Sequence, residues 1–270
     1  AAASRIQPGT YAETLETKTA NLTLLAEGAP HAVVVTPPPG QVGLQVKHAN
    51  VVVDGLLFQG GVHGISAQGA DGLTVRGCVA VGQSANGFTV IGTAGATIEG
   101  SIAASAGSRG IFLDHSSSVY VRNDLVYSNG EWGIDFDNSN ASNPQPAVSS
   151  GNVVAFNTVY ANGPLADQSQ ALGGVRLKNA IGEVRDNIVA GNSKIGVRLD
   201  TPGSSVHHDD LWNNPTPLSP PNYALGPGML AQDPAFVDPD GADGILGGSG
   251  FADDTFALAQ VNGETGAPSP

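Results

Sequence analysis

Acidic and basic side chains recur at fixed positions after a glycine in the second half of this sequence. The segments are Gly110-Ile-Phe-Leu-Asp114, Gly133-Ile-Asp-Phe-Asp137, Gly174-Val-Arg-Leu-Lys178 and Gly196-Val-Arg-Leu-Asp200. Gathered carboxylates can hold Ca²⁺ or exchange protons, and a neighbouring lysine or arginine can bind an anion or take up a proton. Such chemistry requires that residues distant in sequence meet, so it depends on the elements that carry them.

Those glycines belong to an internal repeat. Glycine–apolar–any–apolar segments begin at Gly64, Gly87, Gly110, Gly133, Gly174 and Gly196, at intervals of 23, 23, 23, 41 and 22 residues. A second family of apolar segments keeps the same period out of phase, as at Val75, Ile98 and Val121, and short third segments follow. Three strands of about four residues and three turns use about 22–23 residues per coil, and stacked coils pair strand on strand. The repeat therefore predicts an all-β fold, a single-stranded parallel β-helix with three short strands per coil.

Composition agrees with one solenoid that contains many tight turns. The 270 residues include 37 glycines, and only 13% are charged and 6% aromatic, which disfavours long helices. We expect the β-helix, with an N-terminal cap, over residues 1–214. An irregular Pro/Gly/Asp-rich tail over residues 215–270 is expected to pack on the solenoid. A monomer is expected, because stacked coils bury their own apolar faces.

The charge balance argues against two classes of partner. A net charge of −13 with only 11 Lys and Arg residues disfavours nucleic acid and anionic membranes, whose phosphates require clustered cations. No apolar run approaches the ~18 residues that a membrane-spanning helix needs. Cys78 is the only cysteine, so no intrachain disulfide can form.

Side chains alternate inward and outward along a strand, so the glycine-led strands present two outward columns. Ladder one is Gln45, Ser66, Thr89, Phe112, Asp135, Arg176 and Arg198; ladder two is Lys47, Gln68, Ile91, Asp114, Asp137, Lys178 and Asp200. Rungs of a parallel stack lie about 4.7–4.9 Å apart. Asp114 would then oppose Asp137, and Arg176 would oppose Arg198; like charges directly opposite are destabilising. A cation bound between the carboxylates, or a raised carboxyl pKa, would relieve the repulsion of the aspartates. The alternative is a solvated mesh of salt bridges.

The 41-residue interval contains extra residues in two stretches, Asn138 to Ser150 and Asn162 to Leu172. Insertions in a solenoid form loops on one face, and that face is often the binding face. We therefore expect two loops that border the two ladders.

Three asparagines indicate how the turns are held. Asn123, Asn157 and Asn187 fall between strands, where asparagine tolerates left-handed backbone and stacks into hydrogen-bonded ladders. We interpret them as structural residues.

Over about residues 20–214 the chain resembles the pectate-lyase-like superfamily of right-handed parallel β-helices. The segment that starts at Gly133 looks like the aspartate-rich strand that holds Ca²⁺ in one calcium-dependent pectate lyase family. The segment that starts at Gly174 looks like the strand that supplies the basic residue there. The resemblance implies a right-handed solenoid with a lateral groove for elongated sugars. It also implies a Ca²⁺ site and a base; the calcium ligands would be Asp114, Asp135, Asp137 and Glu131, and the catalytic cations Lys178, Arg176 and Arg198.

The function that this resemblance implies is a calcium-dependent polyuronate lyase that acts by β-elimination, in a secreted or bacterial-envelope protein. One alternative is a glycoside hydrolase with Asp114 and Asp137 as paired carboxyls. Another is a non-catalytic glycan-binding or structural module. The predicted substrate-binding residues are Phe112, Trp132 and Asp200, and the two aromatic rings would stack on sugars.

Overall fold

The computed structural model describes residues 2–138, 148–164, 172–221, 223 and 225–258. In this part of the chain, short strands coil into three parallel sheets, in which neighbouring strands come from successive coils. Sheet A contains β1 (Ala2–Ile6), β4 (Leu22–Ala26), β7 (Val52–Asp54), β10 (Thr74–Arg76), β13 (Thr97–Glu99), β16 (Tyr120–Arg122), β19 (Ser149–Ala155), β22 (Ala180–Arg185) and β25 (Ser205–His207). Sheet B contains β2 (Gly9–Tyr11), β5 (Val33–Val35), β8 (Leu57–Gln59), β11 (Val79–Val81), β14 (Ile102–Ala104), β17 (Leu125–Tyr127), β20 (Thr158–Tyr160) and β23 (Ile188–Ala190). Sheet C contains β3 (Leu15–Glu16), β6 (Leu44–Val46), β9 (His63–Gln68), β12 (Asn86–Ile91), β15 (Ile111–Asp114), β18 (Trp132–Asp137), β21 (Gly173–Lys178), β24 (Ile195–Leu199) and β26 (Thr216–Ser219).

This architecture confirms the predicted parallel β-helix, and its first coil lies at the N-terminal end, where a cap was expected. Strands β1, β2 and β3 pair with β4, β5 and β6, so the N-terminal residues expected to include a cap form a complete coil. At the other end, β26 pairs with β24, and stacking therefore extends past residue 214 to Ser219.

The tail packs on the outer face of sheet B. It contains the antiparallel strands β27 (Phe236–Asp238) and β28 (Thr255–Leu258) and a 3₁₀ turn at Gly248–Gly250. Phe251 is buried in a cluster with Leu57, Val79, Val81, Ala104 and Tyr127, and the Tyr127 hydroxyl donates a hydrogen bond of 2.6 Å to Asp254 Oδ2. The tail thus covers apolar side chains that sheet B turns away from the core. No helix in the described residues has the length and apolar character needed to span a membrane.

The core runs along the axis of the solenoid, where side chains from the three sheets meet. In sheet C the predicted inward residues are completely buried, as at Ile111, Leu113, Ile134 and Phe136. Cys78 is buried as well, and burial raises the pKa of its thiol to about 12. Continuous stacking of aliphatic side chains buries apolar surface in every coil and stabilises the fold by about 25 cal/mol per Å² of that surface.

The repeated glycines have a steric cause. A Cβ on Gly87 would lie 2.6 Å from the carbonyl oxygen of Gly110, and a Cβ on Gly110 would lie 2.8 Å from that of Gly133. The same contact recurs between Gly174 and Gly196, at 2.6 Å. Backbones of successive coils therefore approach too closely for any side chain where sheet B turns into sheet C, and this explains the period of the glycines.

Two ladders of polar side chains hold the turns. One runs through Asp124, Asn157, Asn187 and Asp209, and each Oδ1 after Asp124 accepts the backbone N–H of the preceding member at 2.8–2.9 Å. The second runs through Asn129, Asn162, Asn192 and Asn214. Asn157 and Asn187 are ladder residues as predicted. Asn123 has the predicted left-handed backbone, with a φ of 55°. Its predicted place in the ladder is wrong, because Asn123 is exposed and Asp124 is the buried ladder residue.

Asp209 makes this ladder sensitive to pH. Its Oδ1 accepts two hydrogen bonds from Asn187 at 2.8 Å, whereas its Oδ2 is buried without a hydrogen-bond partner in the described part of the chain. Burial raises the pKa of Asp209 to about 6, above its unfolded value of about 3.9. The folded state therefore holds this proton more tightly, so stability is complete below about pH 4 and falls as the pH rises towards 6.

We expect Asp209→Asn to raise the free energy of unfolding by about 2 kcal/mol at pH 8 and to change it little at pH 4. The Nδ2 group of asparagine would replace the unpartnered Oδ2 of Asp209. It could then donate a hydrogen bond to a backbone carbonyl, as Asn187 Nδ2 does. Urea unfolding at the two pH values measures the effect, and the exposed Asp238→Asn serves as a control. An equal gain at both pH values would contradict the assignment.

Candidate functional site

The predicted catalytic and binding residues lie on or directly beside strands β15, β18, β21 and β24 of sheet C; Glu131 precedes β18 and Asp200 follows β24. Ladder one is in the predicted register: Phe112 pairs with Asp135, Asp135 with Arg176, and Arg176 with Arg198. Acids and bases far apart in sequence therefore share one surface, because each coil returns the chain to the same sheet.

Ladder two is interrupted. Asp137 pairs with Lys178 as predicted, but the paired residues of β15 and β18 end at Leu113 and Phe136. The chain leaves the strand at His115, which has a left-handed φ of 48°, and its imidazole Nδ1 lies 2.5 Å from Asp114 Oδ1. Asp114 and Asp137 are therefore not paired between β15 and β18 as predicted. The Asp114 carboxylate contacts the imidazole of His115 instead.

Asp135 is the centre of the site, and it is completely buried between two guanidinium groups. Arg176 donates from Nε to Oδ1 at 2.7 Å and from Nη2 to Oδ2 at 2.8 Å. Arg109 donates from Nε to Oδ2 at 2.6 Å. A buried carboxylate with two bound arginines is a rigid ion cluster, since either charge alone would be costly to bury.

Arg109 was not predicted as a site residue. It precedes Gly110, so it lies outside both ladders, and its backbone N–H donates to Asn86 Oδ1. Its side chain also bonds to Ser108 Oγ at 2.9 Å and lies 3.2 Å from Glu131 Oε2. The sequence did contain a signal for Arg109. It is a charged residue directly before a repeat glycine, where the sheet C strands of several coils begin.

Arg176 is held in its charged form. Burial opposes the charge, but the carboxylates and hydrogen bonds of Asp135 and Asp137 outweigh burial and raise the pKa of Arg176. Its Nη2 reaches Asp137 Oδ2 at 2.6 Å. A permanent cation suits the binding of an anion and does not suit the proton abstraction that the resemblance allowed for Arg176.

Two further cations lie beside Arg176. Lys178 Nζ lies 3.4 Å from both carboxylate oxygens of Asp137. On the next strand, Arg198 Nε contacts the carboxylate oxygens of Asp200 at 2.7 and 2.9 Å. The Arg198 side chain is 31% exposed, so solvent reaches this part of the surface.

The two predicted aromatic platforms differ in exposure. Trp132 is only 1% exposed; it packs with Leu172 and Ile195, and the Arg176 guanidinium lies 5.3 Å from its ring centroid. Its ring is therefore covered, and its role as a stacking surface for sugars stays a prediction. Phe112 is half-buried, with Arg109 over its ring at 4.9 Å, and it remains at the surface of the site.

The carboxylates do not fit the predicted calcium site in this arrangement. Ca²⁺ takes six to eight oxygen ligands that converge on one point. Each predicted ligand instead contacts a basic side chain: Asp114 with His115, Glu131 with Arg109, Asp135 with both arginines, and Asp137 with Arg176. No group of three or more metal-ligating side chains converges within the described ranges. The calcium site stays a prediction, and an ion would have to displace these basic groups.

The two insertions border the site at their described ends. Asn138 is completely buried and Leu172 covers Trp132. Most of both predicted loops, residues 139–147 and 165–171, lies outside the described residues.

Comparison with known proteins agrees with the architecture. The pectate lyase Pel9A has a TM-score of 0.65 and 14% identity, over 97% of this chain and 81% of that one. The A-module of the Azotobacter vinelandii mannuronan C-5 epimerase AlgE6 has a TM-score of 0.51 and 13% identity, over 86% of this chain and 91% of that one. At such identities the likeness shows the fold alone. A sequence search of curated proteins finds no significant match. A family model described as "Right handed beta helix region" matches residues 42–216, and the chain therefore belongs to the right-handed β-helix family.

Proposed function

We propose that the outer face of sheet C binds an acidic polysaccharide and cleaves it by β-elimination. The observation that carries this proposal is the cluster of Arg176, Lys178 and Arg198 on the adjacent strands β21 and β24, anchored by the buried Asp135. Arginine side chains bind carboxylates with directed donors. An extended chain of uronate residues would lie along the sheet, in the direction in which the rungs repeat.

Each cation has a distinct role in this proposal. Arg176 and Arg198 bind the uronate carboxylate and stabilise the charge that develops when the adjacent C–H bond ionises. Lys178, in its deprotonated form, removes the proton on the carbon next to that carboxylate. The electron pair forms a carbon–carbon double bond, the glycosidic carbon–oxygen bond breaks, and the leaving oxygen takes up a proton. Pel9A, which shares the fold, is named a pectate lyase, in agreement with this chemistry.

A binding function without cleavage is the second candidate. Each of the three cations already contacts a carboxylate, and Lys178 lies beside Asp137. Such an arrangement favours a stable charged surface that recognises a polyanion. Glycoside hydrolysis is less favoured, because Asp114 and Asp137 each contact a basic group.

Incubation with pectate, alginate and neutral glycans, each with added Ca²⁺ or with a chelator, separates these functions. We expect ultraviolet absorbance from unsaturated products with an acidic polysaccharide. New reducing ends without that absorbance would overturn elimination in favour of hydrolysis. Binding of the acidic polysaccharide with no product would support the second candidate, and neither binding nor product would overturn both. Loss of activity in chelator would support the calcium site that the resemblance implies.

A further inference from the structure

A second surface feature lies on sheet B, where the tail meets the last coils. It is a cavity of about 300 Å³, and its lining includes Tyr160, Gly191, Trp212, Asn213, Asp233 and Phe236. We propose that this cavity binds a neutral sugar ring. It lies on a different sheet from the acidic-polysaccharide site, so the proposal does not depend on cleavage at sheet C.

The aromatic side chains are spaced to accept a ring between them. Tyr160 pairs with Ala190, and the N–H of Gly191 donates to the carbonyl oxygen of Trp212 in the following coil. Tyr160 and Trp212 are thus two rungs apart, about 10 Å. Gly191, which has no side chain, lines the cavity between them.

Gly191 keeps one face of the Tyr160 ring uncovered. A Cβ at position 191 would lie 3.1 Å from Tyr160 Cε2 and 3.6–3.7 Å from two other ring atoms. The φ of Gly191 is 62°, but Ala161 and Ser128 adopt φ values of 52° and 56° at the equivalent position of the two preceding coils. Left-handed backbone at this turn therefore does not require glycine, and the missing side chain leaves a ring face available for stacking.

The tail fixes the opposite wall. Phe236 of β27 and Phe256 of β28 pack edge to face with Tyr160 at 5.5 Å, and with each other at 5.2 Å. Trp212 is 36% exposed whereas Trp132 is 1% exposed. The cavity is thus a preformed aromatic site with one accessible indole, and stacking on such rings is a common way to bind the apolar face of a sugar.

Polar groups in the cavity favour a neutral sugar over a uronate. Asp233 Oδ1 accepts the N–H of Ala235 at 2.8 Å, which leaves Oδ2 available to accept a sugar hydroxyl. Asn213 lines the same cavity, and an asparagine amide offers both a donor and an acceptor. None of the lining residues is a cation, so a carboxylate there would meet Asp233 without compensation.

Titration calorimetry with glucose, galactose, mannose and N-acetylglucosamine tests the proposal, with galacturonate as the anionic counterpart. We expect at least one neutral sugar to bind at millimolar concentration, and we expect galacturonate to compete with that sugar at least about tenfold more weakly. Competition excludes any galacturonate that binds at sheet C. Trp212→Ala and Gly191→Ala should each weaken that binding at least about tenfold. Far-ultraviolet circular dichroism and thermal melting verify that both variants fold.

Val237→Ala is the matched control, because Val237 lies on β27 beside Phe236, is 60% exposed and does not line the cavity. It should bind the sugar like the parent protein. Trp212→Ala should cleave acidic polysaccharide like the parent protein, which separates this site from sheet C. The proposal is overturned if none of the four neutral sugars binds, if galacturonate displaces the bound neutral sugar equally well, or if folded Trp212→Ala retains full affinity for that sugar.

Discussion

Lys178→Met is expected to lower the rate of acidic-polysaccharide cleavage by about 100- to 10,000-fold, the range that a positioned general base supplies. Methionine has a similar length but cannot accept a proton. Arg176 and Arg198 remain in this variant, so the affinity for the polysaccharide should change much less than the rate. Initial rates of ultraviolet absorbance and calorimetric binding constants measure the two effects separately.

Lys47→Met provides the control for this experiment. Lys47 belongs to the same predicted ladder, several coils from the site, and its side chain is 54% exposed and paired with Glu16. Its replacement should leave both the rate and the affinity unchanged. A Lys178→Met variant that cleaves at the parental rate would show that another group removes the proton, and equal loss of rate and affinity would assign Lys178 to binding.

Asp135→Ala is expected to destabilise the protein by about 3–5 kcal/mol, because it removes the carboxylate that compensates two partly buried guanidinium groups. Asp135 is completely buried, and the side chains of Arg109 and Arg176 are 25% and 13% exposed. The two cations would then repel each other without an anion between them. The free energy of urea-induced unfolding measures the loss.

An exposed ion pair gives the comparison for Asp135. Glu99 and Arg122 form a pair on sheet A in which the arginine side chain is 51% exposed, and such pairs contribute about 0–1 kcal/mol. Glu99→Gln should therefore shift unfolding only slightly. If Asp135→Ala cost no more than Glu99→Gln, the ion cluster would not be a structural anchor of the site.

The fold was predictable because its determinants are periodic. A constant interval between Gly64, Gly87 and Gly110 reports the length of a coil, and alternation reports which side chains face the core. The structure adds the reason for the glycines, which is the close approach of carbonyl oxygens in successive coils. The register of ladder one followed directly, since a fixed period places equivalent positions side by side.

The contacts within the site were less predictable, because they depend on side-chain conformation and on turns that depart from the period. Arg109 precedes Gly110, and its side chain contacts Asp135 in the next coil. The periodic pattern does not predict this contact. The chain turns with a left-handed φ at His115, whose imidazole contacts Asp114. Trp132 is covered by Leu172, which follows an insertion with no counterpart in other coils.

The amino-acid order by itself determined the solenoid, its coil length and the set of charged residues that share one face, because each follows from short-range spacing. Only the tertiary structure decided how those charges are paired, which aromatic rings are exposed and where the tail packs. These outcomes depend on the balance of burial, hydrogen bonding and charge among residues from several coils. The spacing of residues along the chain does not predict that balance, because these interactions form only when the coils are stacked.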